Sequence, residues 1–181
     1  QLVDVVAGSV TPTGGSPTDS ILQAGILSFA VTRDDSRFAG STAGVYRFAE
    51  DGSNLGLEAH DADRPDGIGA GYVGALLPDG ESGLWVGVGG SGLFLRDSLS
   101  GRYRAYRHDP AVPDSLSGDY VTALAPGKNG YVWVGTRSNG LNLCRIEPWS
   151  CERFDGRSGG VRNLRHYHVT ALRRDRSGGL W

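Results

Sequence analysis

The side chains best suited to chemistry in this 181-residue chain are histidines and carboxylates in turn-forming segments. His166 and His168 flank Tyr167, and two histidines spaced in this way on a strand share one face, where they could hold a metal ion. No third ligand stands nearby, and His168 occupies the repeat position of Tyr120 and Tyr72, which favours a packing role. We therefore expect neither a metal site nor a cofactor.

Aspartates could supply the paired carboxylates of glycosidase-type acid–base chemistry. They stand beside proline, glycine and serine, which is typical of residues that cap turns. The group comprises Asp61, Asp63, Asp66, Asp109, Asp114 and Asp119. The sequence contains neither a Gly-x-Ser-x-Gly elbow nor a phosphate-binding Gly-Lys-Ser/Thr element. We therefore expect that the chain is not an enzyme.

The elements that must position these residues repeat along the chain with a fixed period. Trp85, Trp133 and Trp181 mark that period by their equal spacing, and a degraded earlier copy carries Phe38 at the same place. Each period divides into four short apolar runs separated by glycine-rich turns, which is typical of strands. Four strands in a period of about 40–50 residues indicate a β-propeller, in which each period forms one blade.

We predict an all-β fold of four-stranded antiparallel propeller blades, with about three complete blades, partial ones, and an incomplete ring. The predicted divisions are 1–18 for the end of a preceding blade or a linker, 19–66 for blade 1, 67–114 for blade 2, 115–162 for blade 3 and 163–181 for the start of blade 4. An open stack leaves an apolar face uncovered, so we expect self-association that completes the ring.

The second strand of each blade is apolar on both faces, as a strand covered by a blade on either side would be. Trp85, Trp133 and Trp181 are therefore expected to be structural repeat positions. Gly87 and Gly135 follow the first two of these tryptophans and are expected to allow close backbone approach between blades. These positions are expected to have no catalytic role.

Both cysteines lie in one predicted hairpin. If its turn centres on Glu147-Pro148, Cys144 stands opposite Cys151. Opposed residues have Cβ atoms about 4.5–5.5 Å apart, whereas a disulfide requires about 3.5–4.5 Å. Cys144 and Cys151 are thus a candidate disulfide, which would indicate an oxidising compartment, and two free thiols that fill strand positions are the alternative.

Topology predicts a ligand site at one end of the ring. In an antiparallel meander, the loop entering the first strand and the loop between the second and third strands lie at the same end. Polar and aromatic side chains that converge at a channel mouth are the usual basis of a ligand site, and solvation of the rim is the alternative. The candidate residues are Asp119, Tyr120, Arg137, Asn139, His166 and Tyr167, with Ser138 beside them.

Charge and hydropathy exclude two classes of partner. The chain has 18 basic and 20 acidic residues, a net charge of −2 and a single lysine, so we expect no nucleic-acid partner. No run of about 18 apolar residues is present, so we expect no membrane segment in this sequence. The absence of methionine and the first residue, Gln1, predict a fragment excised or processed from a longer protein.

Three segments together resemble the two-component regulator propeller repeat: Leu84-Trp85-Val86-Gly87, residues 132–141, and Pro113-Asp114-Ser115-Leu116-Ser117. The resemblance covers roughly residues 19–181, although Gly87-Val88 and Asn139-Gly140 depart from the Gly-Thr and Gly-Gly of the family pattern. It implies a periplasmic sensor region of a two-component or related transmembrane signalling protein. The implied output, a histidine kinase or diguanylate cyclase, is not in this sequence.

The role that the resemblance implies is non-enzymatic binding of a small ligand, with carbohydrates among the candidates, or of a protein. One alternative is an enzyme-type propeller such as a streptogramin-lyase-like lyase, which would need a catalytic histidine and a metal-ordering acidic partner at the ring mouth. Another is a structural dimerisation scaffold without a small ligand.

Overall fold

The computed structural model describes residues 25–81, 83–154, 164 and 167–181. In these residues the regular secondary structure is entirely β, with no helix. The strands are β1 (Ile26–Val31), β2 (Arg37–Ser41), β3 (Val45–Phe48), β4 (Asn54–Glu58), β5 (Val73–Pro78), β6 (Leu84–Val88), β7 (Gly92–Arg96), β8 (Tyr103–Tyr106), β9 (Val121–Pro126), β10 (Tyr131–Thr136), β11 (Leu141–Arg145) and β12 (Ser150–Phe154).

The strands form three four-stranded antiparallel meanders, which we call sheet 1 (β1–β4), sheet 2 (β5–β8) and sheet 3 (β9–β12). The first strands β1, β5 and β9 contact one another in series and form the inner side of an unclosed ring. The predicted all-β propeller architecture is therefore confirmed. The blade boundaries stay a prediction, and residues 1–18 lie outside the described residues.

Sheet 2 lies between the other two sheets, which explains the sequence of its second strand. All five residues of β6 are buried, including the Gly87 that follows Val86. A strand covered on both faces needs no polar side, and β6 has none. The outermost strand of sheet 1, β4, has no fully buried residue.

Trp85 and Trp133 have matching surroundings in sheets 2 and 3. Trp85 lies 5.5 Å from Tyr106 between ring centroids, and Trp133 lies 5.6 Å from Phe154, both with an interplanar angle of 47°. Phe154 stands one period after Tyr106, as Trp133 does after Trp85. The repeat thus specifies the same aromatic pair between the second and fourth strands of sheets 2 and 3.

A glycine in the second strand admits a valine from the next first strand. A Cβ atom on Gly87 would lie 2.6 Å from Val121 Cγ1. Gly135 meets Val169 in the same way, and the contact recurs at Gly40. Any side chain at these positions would push neighbouring units apart, because real Cβ atoms do not approach other atoms so closely.

Residues 167–181 begin another unit against sheet 3. The Val169 amide donates to the Thr136 carbonyl at 3.0 Å. Arg173 and Trp181 exchange two backbone hydrogen bonds of 2.9 and 2.8 Å, and Arg174 forms a bridge with Leu180. This segment lies in the range predicted for the start of blade 4.

Candidate functional site

Two tyrosines form the centre of the predicted mouth. Tyr72 stands just before β5 and Tyr120 just before β9, and their rings meet edge to face with centroids 5.7 Å apart. Each is fixed to the loop between the second and third strands of its own sheet. The carbonyl of Tyr72 accepts from the Gly89 amide and that of Tyr120 from the Arg137 amide, both at 2.9 Å. The two tyrosines therefore lie across the boundary between sheets 2 and 3.

The loop position that follows the second strand differs between the two sheets. In sheet 2 it is Gly89, where a Cβ atom would lie 2.7 Å from the Tyr72 ring. In sheet 3 it is Arg137, which extends over Tyr120 with its guanidinium carbon 4.9 Å from the ring centroid. An Arg137 Nη1–H also donates to the Tyr120 hydroxyl at 2.9 Å. Of sheets 2 and 3, only sheet 3 therefore has a positively charged residue at this loop position, and it lies at the mouth.

The environment of the two phenols is asymmetric. The hydrogen bond from Tyr72 lowers the pKa of Tyr120, and the hydrogen bond and charge of Arg137 lower it further. Burial raises the pKa of Tyr72, and its interaction with Tyr120 adds to that rise. The Tyr120 oxygen accepts from Arg137, so its own O–H remains available to donate to a bound molecule. Arg137 is exposed and keeps further N–H donors.

Asp119 accepts hydrogen bonds from backbone amides of neighbouring loops. Its carboxylate oxygen Oδ1 accepts from the His108 amide at 2.7 Å. Its carbonyl accepts from the amides of Gly90 and Gly92 at 3.1 and 2.8 Å. Asp119 therefore ties the connection that leads into sheet 3 to a loop of sheet 2, and its role in ligand binding stays a prediction.

The remaining predicted residues lie around the tyrosine pair. Asn139 is half-buried, and its Cγ would lie 2.8 Å from a Cβ atom on Gly118. Tyr167 is exposed, and its carbonyl accepts from the Gly140 amide at 2.9 Å. His166 lies outside the described residues. The structure thus brings Tyr120 and Arg137 into direct contact, while Asn139 and Tyr167 support neighbouring loops.

Sequence reasoning did not include Tyr72 among the candidate ligand residues. The signal was present, because Tyr72 stands one period before Tyr120 at the same place in the repeat. The repeat position that Tyr72 shares with Tyr120 was interpreted as a position for packing alone. The edge-to-face contact shows that one tyrosine ring can pack on the next and still line the mouth.

The opposite end of sheet 3 carries a disulfide. Cys144 and Cys151 are directly opposed in the β11–β12 hairpin and are bonded, with Cα atoms 4.0 Å apart. Both are buried. The hairpin turn presents Trp149, whose ring centroid lies 4.0 Å from that of Tyr106 and 6.3 Å from that of Trp85. The disulfide therefore supports contacts between sheets and lies away from the mouth.

Comparison with known families identifies one of the repeats. The family described as "Two component regulator propeller" matches residues 115–138, which span β9, β10 and part of the mouth. This segment is a two component regulator propeller repeat. No curated protein matches the chain significantly.

Solved structures share the propeller architecture. The extracellular domain assigned to a hybrid two component system of B. thetaiotaomicron has a TM-score of 0.75 at 16% identity, over 87% of this chain and 22% of that chain. One assigned to a one component system of the same organism scores 0.66 at 19% identity, over 86% and 20%. The computationally designed Ika4 protein scores 0.56 at 17% identity, over 96% and 95%. The chain spans about a fifth of the two B. thetaiotaomicron domains, and at these identities the likeness shows the fold.

Two histidines in the connections between sheets, His60 and His108, and one of the aspartates considered for chemistry contact backbone groups. His60 Nδ1 lies 3.0 Å from the Ile68 carbonyl oxygen, and His108 Nδ1 lies 2.6 Å from that of Leu116. The Asp109 carboxylate accepts from a backbone amide two residues on, at 2.8 Å. Among the described residues, no group of three or more histidines, cysteines or carboxylates could hold a metal ion. The same residues include no helix able to cross a membrane.

Proposed function

We propose that this chain is part of the ligand-binding sensor region of a two-component or related transmembrane signalling protein, and that it acts without catalysis. The repeat at residues 115–138 belongs to a family described as a regulator propeller. The structural neighbours include extracellular domains assigned to one component and hybrid two component systems. Both observations support a sensory role over an enzymatic one.

We place the chain in the periplasm. Disulfides form and persist in oxidising compartments and are rare where glutathione and thioredoxin keep thiols reduced. The Cys144–Cys151 bond is buried between strands, where it stabilises a hairpin. This bond supports an extracytoplasmic location, in agreement with the location of the structural neighbours.

The contact between Tyr120 and Arg137 carries the proposal of ligand binding. At the mouth, the site offers an exposed guanidinium, a phenol O–H and two partly exposed aromatic rings. Guanidinium groups bind carboxylates in a fork geometry, and aromatic faces contact the apolar faces of ring-shaped ligands. We propose a small carbohydrate ligand for this site, and an acidic sugar makes the best use of Arg137.

Ligand binding at this place would report on the arrangement of the blades. Tyr72 belongs to sheet 2, whereas Tyr120 and Arg137 belong to sheet 3. A ligand that contacts both tyrosines favours one separation of the two sheets over others, and only such differential contact can shift a conformational equilibrium. The proposed signal is therefore a change in the angle between neighbouring blades.

Calorimetric titration with neutral and uronic-acid oligosaccharides tests the proposal. We expect Arg137→Gln to weaken binding of an acidic oligosaccharide about tenfold or more, since a hydrogen bond to a charged group is lost. Arg33→Gln is the matched control, because Arg33 is exposed in the turn between β1 and β2 at the opposite end. No binding by the unaltered protein at millimolar sugar, or equal affinity of the Arg137 variant, would contradict the proposed site.

A further inference from the structure

Three side chains fill the outer part of the interface between sheets 2 and 3. Tyr106 is buried in the hydrophobic cluster of that interface, and Leu95 and Trp149 pack against the same cluster. The Trp149 ring comes from the turn between β11 and β12, and its centroid lies 4.0 Å from that of Tyr106 on β8. A planar apolar ring of sheet 3 thus packs against sheet 2 in this part of the second interface.

The same three repeat positions have a different character at the interface between sheets 1 and 2. Each residue there stands one period before its counterpart: Arg47 before Leu95, Glu58 before Tyr106, and Gly101 before Trp149. The two hairpins have equal length, since the cross-strand partners Arg96 and Tyr103 have the same separation of 7 as the two cysteines. Gly101 therefore occupies the place of Trp149 but has no ring to put between the sheets.

A cleft of about 690 Å³ lies at this place between sheets 1 and 2. Its lining includes Arg47, Glu58 and Gly101, which are the three positions that differ from the second interface. The connection between the sheets supplies another wall, which contains His60 and Arg64. Ligand pockets in proteins commonly have volumes of about 300–1,000 Å³. The cleft is therefore large enough to hold a small molecule.

Two guanidinium groups at the cleft keep donors for an anion. The Arg47 side chain is 44% exposed, and its Nη1 lies 3.7 Å from Glu58 Oε1, which is beyond hydrogen-bond distance. The Arg64 side chain is 61% exposed, and its Nε lies 4.0 Å from Asp66 Oδ1. Glu58 is instead bound by Arg96, which donates to both carboxylate oxygens at 2.7 Å. Arg47 and Arg64 can therefore both donate to a bound carboxylate.

The connection between the sheets engages the other polar groups of the cleft. The Asp61 carboxylate accepts from the Asp63 amide at 3.0 Å. His60 Nδ1 lies 3.0 Å from the carbonyl oxygen of Ile68. Because a carbonyl oxygen only accepts, Nδ1 of the neutral ring carries the proton and Nε2 is an acceptor. The cleft thus offers one acceptor for a ligand N–H beside two cationic donors.

We propose that the cleft between sheets 1 and 2 binds an aromatic carboxylate. The ring lies in the place that Trp149 occupies at the second interface, and the carboxylate lies against Arg47 and Arg64. The second interface supports this ring size, because the chain itself places an indole at the equivalent position. Guanidinium groups support the anionic part, because they bind carboxylates in a fork geometry. The proposal uses no residue of the mouth, so it stands or falls independently of the ligand proposed there.

NMR titration of the 181-residue chain with three small molecules tests the proposal. Indole-3-acetate carries both the ring and the charge, indole-3-acetamide keeps the ring without the charge, and acetate keeps the charge without the ring. We expect indole-3-acetate to bind about tenfold or more tightly than either of the others, since each of them lacks one of the two contacts.

Single variants locate the binding site. Arg47→Gln and Arg64→Gln should each weaken binding of indole-3-acetate about tenfold and leave binding of the amide unchanged. Arg104→Gln is the matched control, because Arg104 is 65% exposed and its partner Glu147 belongs to the hairpin of sheet 3. Both replaced arginines of the cleft are exposed, and thermal denaturation checks that their variants fold like the unaltered protein.

Three results would overturn the proposal. One is equal affinity of the unaltered protein for indole-3-acetate and its amide. Another is no binding of indole-3-acetate at about 10 mM, a concentration above any dissociation constant expected for a specific small ligand. The third is binding that Arg137→Gln weakens and Arg47→Gln does not, because the ligand would then occupy the mouth.

Discussion

The two interfaces between sheets use the same repeat positions with different chemistry. Arg96 and Tyr103 are cross-strand neighbours in sheet 2, and both bind Glu58 of sheet 1. The positions one period later hold Cys144 and Cys151, which are cross-strand neighbours joined by the disulfide. The same pair of repeat positions thus makes an ionic contact between sheets at the first interface and a covalent bond within sheet 3 at the second.

The interface between sheets 1 and 2 is built on a charge pair in which Arg96 is buried and Glu58 is half-buried. Arg96 donates to both carboxylate oxygens of Glu58 at 2.7 Å, and the Tyr103 hydroxyl donates to one of them at 2.5 Å. The Arg96 guanidinium also lies 5.3 Å from the ring centroid of Phe38. Burial opposes ionisation of Glu58, but the hydrogen bonds from Arg96 and Tyr103 outweigh it and hold the pKa of Glu58 below its ordinary value.

The interface between sheets 2 and 3 is built on aromatic rings. Trp149 stacks near Tyr106 and Trp85, and the disulfide lies in the same cluster. The ion pair nearest to this contact, Arg104 with Glu147, is exposed on both sides at 65% and 78%. The repeat therefore fixes a close contact at these positions but not its chemistry. The two interfaces should therefore be sensitive to different perturbations.

Removing the charge partner in the first interface should have the largest effect. Arg96→Met leaves Glu58 without its main counter-charge, and breaking a buried pair costs about 3–5 kcal/mol of unfolding free energy. The Glu58 side chain is 22% exposed, so we expect the lower end of that range. Urea denaturation of the variant and the unaltered protein measures the difference.

A triple variant controls for the packing of Arg96. Glu58→Leu, Arg96→Met and Tyr103→Phe together replace the polar group with apolar side chains of similar size, an exchange that is often neutral or stabilising. We expect the triple variant to recover most of the lost stability. If it is as unstable as the single variant, the side-chain stem of Arg96 matters more than its charge.

Truncating the aromatic contact in the second interface should have the next largest effect. Trp149 is half-buried, so Trp149→Ala should cost about 2–3 kcal/mol, below the range for a fully buried tryptophan. Trp149→Phe keeps a ring over Tyr106 and should retain about half of that stability. Thermal denaturation gives both values. A loss in Trp149→Ala as small as that of the exposed-pair variant Arg104→Ala would show that the ring stack contributes little.

The architecture could be predicted from sequence because a fixed period translates directly into stacked units. Trp85 and Trp133 mark the second strand in each unit, and alternation of apolar runs and turns sets the strand count. The ionic contact could not be predicted, because Glu58 and Arg96 are 38 residues apart and lie in different sheets. Nothing in the repeat pattern specifies which side chains of neighbouring units meet.

Part of the candidate site could also be predicted from the sequence. Topology alone places Tyr120 and Arg137 at one end, where they are in contact. It could not show that Asp119 is engaged by the His108 amide, because this depends on which loop of the neighbouring sheet lies closest.

Removing the disulfide should have a moderate effect that is confined to the second interface. A disulfide that closes a short loop stabilises a protein by about 2 kcal/mol. The double variant Cys144→Ser, Cys151→Ser should therefore have a free energy of unfolding that is lower by that amount. The same loss should follow addition of dithiothreitol to the unaltered protein and be absent when it is added to the double variant. Loss of hydrogen-exchange protection in β1–β4 on reduction would contradict the separation of the two interfaces.

Acid should have the smallest effect and act on the first interface. The pKa of Glu58 is lower in the folded protein than in the unfolded chain, so its contribution to stability is present above the ordinary glutamate pKa of about 4.3 and is lost as the pH falls through the folded value. Hydrogen exchange, corrected for its intrinsic pH dependence, should therefore show protection in β4 and β7 falling in this range before protection in β11 and β12. Glu58→Gln should remove this difference, because an amide does not titrate. The opposite outcome is that β4 and β7 lose protection at the same pH as β11 and β12, in the variant and in the unaltered protein alike. Other carboxylates, and not the pair of Glu58 and Arg96, would then control the response to acid.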